Sequence, residues 1–224
     1  MPSFMDMAQF SHWNKKNIMD GTPALICIPD ITGFTEFMSE AKLESSRKII
    51  PTLLNEIIYA NTIDLKVSEI EGDAILFFRN GQPPALSKLL KQCQQFFKDF
   101  HGKLDEFSKQ NQQNEDFQDL TERLGLKIVV HYGTIGMAKV GTHLKLMGEE
   151  VIVAHRLLKN DIPFDEYVLI TKALMDQYRE DTNTIDEINQ MVTYGSDQYK
   201  HIGKLPYYYI SAIQLRSFHQ KLME

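Results

Sequence analysis

The amino-acid sequence predicts an α+β domain in which helices pack on one side of a mainly antiparallel sheet. Three observations carry that prediction. Short apolar runs bounded by turn residues recur as strands; stretches with apolar residues three and four apart separate them as helices; and the two kinds follow the order β-α-α-β-β-α-β-β-α-β-α-β-β rather than regular βαβ repeats. The 224 residues suit one domain that buries roughly 70% of its unfolded surface.

The elements follow in chain order. Residues 23–29 (PALICIP) are a short apolar run after Gly21 and read as a buried strand, with Asp30 to Gly33 as the turn and a helix from Phe34. Ile50, Leu53, Leu54, Ile57 and Ile58 have helical spacing, and Pro51 marks either a helix start or a kink. Leu65 to Ile70 alternates and EGD turns the chain into AILFF, a hairpin with Asp73 near its bend. From Pro84 an aromatic and aliphatic stripe from Leu86 to Phe107 predicts a long amphipathic helix whose stripe is core. Residues 108–119 are polar and aperiodic, an exposed loop suited to disorder. LKIVVHY (126–132) is a buried strand, GTIGMAKVG (133–141) is expected to pair with it, and Gly148 opens a helix through Lys159. Tyr167 to Ile170 is a strand, a helix follows near Lys172 to Arg179, and Gln198–Ile202 with Tyr207–Ile210 form a last hairpin around Gly203-Lys204-Leu205-Pro206. Residues 1–21 are then an N-terminal extension, 22–213 the domain, and 214–224 a C-terminal helix or tail.

Composition narrows the function classes. Hydrophobic residues make up 43% and charged residues 24%, a globular balance. A net charge of −6 with scattered Lys and Arg argues against a nucleic-acid surface. The first residues lack the apolar core of a signal peptide and no run approaches a bilayer span, so a cytoplasmic protein without membrane contact is expected. Cys27 and Cys93 sit in apolar patterns and read as buried thiols.

Two carboxylates stand out, because Asp30 ends one apolar run in IPDITGFTEF and Asp73 opens another in EGDAILFF. Each alone is an ordinary helix-capping or turn residue. Together with LKIVVHYGTIGMAKVG and LKLMGEEVIVAHRLLKN, these segments resemble, in order over about residues 22 to 160, the catalytic domains of class III nucleotidyl (adenylate/guanylate) cyclases. HIGKLPYYYI resembles that family's closing hairpin, and the chain is most similar to a stand-alone bacterial branch of cyclase-like proteins.

The resemblance implies a ferredoxin-like fold and places Asp30 and Asp73 side by side as ligands of two Mg²⁺ or Mn²⁺ ions, with a nucleoside triphosphate, GTP or ATP, as ligand. It implies that backbone N–H groups of Ile31, Thr32, Gly33, Phe34 and Thr35 hold phosphate oxygens. It also implies a head-to-tail homodimer, in which Glu69, Lys145 and Arg156 of one chain complete the site of the other.

Departures from the family pattern temper the activity. Where cyclases carry an asparagine and an arginine four residues apart, this chain has Ile152 and Arg156. Arg156 keeps a catalytic charge, but the missing donor is worth ~10²–10³ in rate. Glu69 and Lys145 stand at the base-reading positions, and either read a base or pair with each other. The phosphate-binding lysine falls at Ile202, leaving Lys200 or Lys204 as substitutes. Glu149 and Glu150 are expected to be solvated at a helix start, and His131 and His155 to pack or make local hydrogen bonds. The expected function is therefore a metal- and nucleotide-binding cyclase-like domain, a pseudoenzyme with weak or no cyclisation. An active nucleotidyl cyclase, a phosphorus-oxygen lyase, and a scaffold without ligand remain the alternatives.

Overall fold

Alternation along one long strand decides the architecture. In the computed structural model, which describes residues 18–141, 143–179, 188 and 190–222, strand β1 (Ile18–Thr32) turns Leu25, Cys27 and Ile31 to one side and Ala24, Ile26 and Ile28 to the other. Both sets are apolar, so both faces of the sheet must be covered. The strand extends beyond residues 23–29 at both ends, taking in Ile18 to Gly21 of the expected extension.

Around β1 stand β2 (Lys66–Glu71), β3 (Ala74–Asn80), β4 (Gly125–Val140), β5 (His143–Met147), β6 (Tyr167–Thr171), β7 (Thr193–Tyr199) and β8 (Gly203–Ser211). The sheet order is β2-β3-β1-β4-β6-β8-β7, with β5 paired to the far end of β4. Among the described residues only β4 and β6 run parallel, so the sheet is mainly antiparallel as the sequence predicts.

Helices α1 (Phe34–Glu40), α2 (Leu43–Tyr59), α3 (Leu86–Gln110), α4 (Leu120–Arg123), α6 (Lys172–Met175) and α7 (Ala212–Leu222) lie on the face of Leu25 and Cys27. There Phe96, Phe97, Phe100, Leu104 and Phe107 of α3 fill the main core. The expectation of helices on one side alone is corrected by α5 (Glu149–Arg156), whose Val151 and Ala154 cover Ala24, Ile26 and Ile28 on the other face. Cys27 and Cys93 are buried free thiols in the main core, and burial pushes Cys93 up to about 12.

Four local expectations are also corrected. GTIGMAKVG does not fold back on LKIVVHY, because β4 continues through both and pairs with β1 over residues on either side of Gly133. The last hairpin turns at Lys200–Ile202, so Gly203 to Pro206 lie inside β8. Of the two readings of Pro51 the helix start is excluded, because it sits in the middle of α2. Residues 108–119 are not a free loop: α3 runs to Gln110, and a 3₁₀ turn at Glu115–Phe117 buries Phe117 against Phe107, while Ser45 Oγ donates to Asp116 at 2.6 Å. Among the described residues no helix is long and apolar enough to cross a membrane.

Candidate functional site

Asp30 is the inward-facing residue that follows Ile28 on the α5 side of β1, so burial of its neighbours carries it to the floor of that face. Its carboxylate arrives where β1 meets the β2–β3 turn. Gly72, at φ +64°, makes that turn, and the Ile31 N–H donates to the Asp73 carbonyl at 3.2 Å, fastening the turn to the strand end. The Asp73 carboxyl lies within hydrogen-bonding reach of Asp30. Burial, then the Asp30 charge, pushes its pKa up to about 6, against a smaller opposing pull from Lys127.

Lys127 completes this cluster. It stands directly across from Asp30 in the β1–β4 register, and its Nζ lies 3.1 Å from Asp30 Oδ2. Sequence reasoning passed over it, although a lone charge inside the apolar run LKIVV was a signal that one position of that strand faces polar company.

The three residues open into a cleft of about 750 Å³ whose walls come from β2, β5 and α5. Glu69 and Glu71 of β2 add negative charge to its lining, and Lys145 of β5, His155 and Arg156 of α5, and Lys159 add basic groups. Lys145 Nζ lies 3.4 Å from Glu69 Oε2, so in the single chain these two pair with each other. Ile152, 53% exposed, sits on the same wall one helical turn before Arg156, with Met147, 51% exposed, beside it. Asp30, Asp73, Glu69, Lys145 and Arg156 are thus brought to one cavity.

The remaining predicted positions lie outside its lining. Ile31 is a core residue whose N–H is spent on Asp73. Thr32 pairs with Gly125 at the end of β1. Gly33 has φ +75°, and a Cβ there would meet the Arg123 carbonyl oxygen at 2.0 Å, so its close approach is to the protein's own backbone. Phe34 packs on the main core and Thr35 follows in the first turn of α1, without a side-chain cap. Lys204 is exposed on β8, opposite Gln198.

Glu150 does more than the solvated first-turn role expected of it. Its side chain, 36% exposed, accepts from His131 Nε2 at 2.6 Å while His131 Nδ1 meets Thr171 Oγ1 at 2.9 Å. That hydrogen bond holds the Glu150 carboxyl below its ordinary range. The chain Glu150–His131–Thr171 fastens the start of α5 to β4 and β6, and Gly133 leaves the room the Glu150 side chain occupies. α5 is thereby held in place over the cleft.

A divalent ion fits the acidic end of the cleft. Burial first, and then repulsion from Asp30, raise the pKa of Asp73, and a cation between the two carboxylates would relieve the repulsion. Among the described residues no third carboxylate, His or Cys joins them as a ready-made cage. Such a donor set suits Mg²⁺ or Mn²⁺, which keep several ligand positions for water and phosphate.

Comparison with known proteins agrees on the fold. The catalytic core of a rhodopsin-guanylyl cyclase with converted specificity, in complex with ATPαS, superposes with a TM-score of 0.59 at 16% identity, over 87% of this chain and 98% of that one. The guanylate cyclase domain of RhGC from Catenaria anguillulae, in complex with GTP, gives 0.58 at 17%, over 86% and 98%. The adenylyl cyclase CyaB from P. aeruginosa gives 0.53 at 18%, over 86% and 95%. The chain therefore has the fold of adenylyl and guanylyl cyclase catalytic domains. In sequence it is 25% identical over 147 residues to the uncharacterized protein Rv2561/Rv2562 of Mycobacterium tuberculosis, 65% of this chain and just under two thirds, 66%, of that one. Residues 50–167, just over half of the chain, match the model of a family described only as of unknown function, and the chain belongs to that family, DUF2652.

Proposed function

We propose that the cleft binds a nucleoside triphosphate together with divalent metal, and that the chain is a cyclase-like domain with weak or no cyclisation. The observation that carries this reading is the convergence of two mutually repelling carboxylates, Asp30 and Asp73, in a cleft also lined by Lys127, Lys145, Arg156 and Lys159. A metal-bound polyphosphate has the complementary pattern, with cations at one end and anionic oxygens along its length.

Asp30 and Asp73 would hold Mg²⁺ or Mn²⁺, two ions in the full arrangement, which would supply charge to neutralise phosphate oxygens and to lower the pKa of a ribose hydroxyl. Lys127 and Arg156 supply fixed positive charge to phosphate oxygens. Glu69 and Lys145 exchange their mutual ion pair for the polar edge of a base, GTP or ATP. Ile152 offers no hydrogen bond where a donor would steady the reacting group, and this is the reason for placing turnover low. A second copy, head to tail, would cover Ile152 and Met147 and offer its own Glu69, Lys145 and Arg156 to the Asp30–Asp73 end of the site.

Thermal melts with Mn²⁺ and either GTP or ATP test the reading. Ligand at 100 times its dissociation constant adds about 2.7 kcal/mol, and a chain with both Asp30→Ala and Asp73→Ala should lose that gain. No shift with any combination would leave a scaffold without ligand. Mass spectrometry for a 3′,5′-cyclic nucleotide then separates a binding domain from an active cyclase.

A further inference from the structure

Two of the basic side chains that line the cleft already have acidic partners. Lys127 pairs with Asp30 at 3.1 Å and Lys145 with Glu69 at 3.4 Å. Arg156 and Lys159 line the same cleft and make no ion pair among the described residues, and neither Glu71 nor Asp73, the other carboxylates of the lining, pairs with them. Arg156 already has a part in the reading above. Lys159 has none.

The backbone holds Lys159 in a defined place. At the end of α5 the chain tightens into hydrogen bonds of 3₁₀ type, Leu158 N–H to the His155 carbonyl at 3.3 Å and Lys159 N–H to the Arg156 carbonyl at 3.0 Å. Residues three apart eclipse in such a turn, so Lys159 stands beyond Arg156 on the same face, about 6 Å further along the axis. The Tyr199 hydroxyl of β7 donates to the Lys159 carbonyl at 2.7 Å, and Asn160 Nδ2 donates to the Leu157 carbonyl and the Tyr167 hydroxyl, both at 2.7 Å. Asp161 and Asp197, whose charges reach Tyr199, line no part of the cleft.

The order of groups along α5 decides what Lys159 meets. The Glu69–Lys145 pair stands by the start of that helix, because β5 leads into it through Gly148. The eight residues of α5 then cover about 12 Å, with Arg156 at their end and Lys159 past it. A nucleotide that puts its base at Glu69 and Lys145 and runs its phosphates along α5 reaches Arg156 first and Lys159 last. We propose, on the reading of the cleft as a nucleoside triphosphate site, that Lys159 receives the terminal phosphate and is the residue by which this chain distinguishes a triphosphate from a diphosphate. An ammonium suits that place, since its three donors meet a terminal phosphate in any rotation. A diphosphate ends short of it. Lys159 follows Arg156 in the same turn, so the two serve together whichever copy's Asp30–Asp73 end they complete.

Isothermal titration calorimetry of the full chain in Mg²⁺, with GTP against GDP and ATP against ADP, is the test. The native chain should bind the triphosphate of its preferred base at least about tenfold more tightly than the diphosphate, the worth of one charged hydrogen bond. Lys159→Gln should narrow that preference to about threefold or less by weakening the triphosphate alone. Lys159 is exposed, and an unchanged melting curve verifies that the variant folds. Nucleotide binding with no preference in the native chain, with a preference that Lys159→Gln leaves intact, or with equal loss of both ligands in that variant overturns the proposal and leaves the cleft a nucleotide site. So does loss of the preference in Lys204→Gln in its place. A native chain that binds none of the four nucleotides overturns the reading of the cleft itself, and this inference with it.

Discussion

Asp73 is held in a conflict that a single atom exchange can relieve. Its carboxyl is raised to about 6 by burial and by Asp30. A carboxyl raised on folding stabilises the folded state while protonated, so this contribution is present below the unfolded value of about 3.9 and lost as pH climbs through about 6. Asp73→Asn keeps the shape and removes the charge. Urea unfolding should show it more stable than the native chain at pH 7 by on the order of 1 kcal/mol, after allowance for partial exposure, with the gain gone by about pH 4. A lower midpoint at pH 7 contradicts the repulsion. Ile152 is the opposite case, exposed and under no strain. Ile152→Asn should change stability by no more than about 0.5 kcal/mol while raising cyclic nucleotide formation at least about tenfold, the modest end of what one donor supplies. An unchanged rate would remove Ile152 from the explanation of low turnover.

At the scale of elements, the joint between β1 and α1 depends on a residue without a side chain. Gly33→Ala combines a positive φ with a Cβ driven into the Arg123 carbonyl, backbone against backbone, and neither can give cheaply. A loss of at least about 2 kcal/mol in chemical denaturation is expected; a smaller loss would mean that α4 moves aside. Elements whose logic is local were legible in the sequence. α3 shows its stripe from Leu86 to Phe107, and β1 its apolar run closed by an acid. Elements decided at a distance were not. The last hairpin turns through His201 at φ +69°, which gives no glycine or proline signal, whereas Gly203 and Pro206, which do, lie in a strand. Pro51 is tolerated because Ile49, Ile50, Leu53, Leu54 and Ile57 are buried in the core around it. The site divides in the same way. Asp30 and Asp73 announce themselves as acids on apolar strands, but Lys127 becomes their companion only through the register of β1 on β4, and Glu150 finds His131 only once α5 has docked.

For the whole molecule, the two faces of the sheet are treated unequally. Among the described residues six helices lie on one, and α5 covers only part of the other. The apolar residues left exposed at the cleft include Met147 and Ile152, a surface suited to a second copy. Sedimentation equilibrium should show a dimer of the native chain and a monomer of the double variant Met147→Glu, Ile152→Glu. A monomeric native chain would refute the head-to-tail arrangement.

The ion pair between Lys127 and Asp30 reaches beyond recognition. An ammonium built into the sheet acts as a resident counter-ion, so the acidic corner is not left wholly to its own repulsion. A metal bound there, as proposed, would have to outbid that tethered charge. The strength of its hold would then report a contest between two cations, one of which cannot diffuse away.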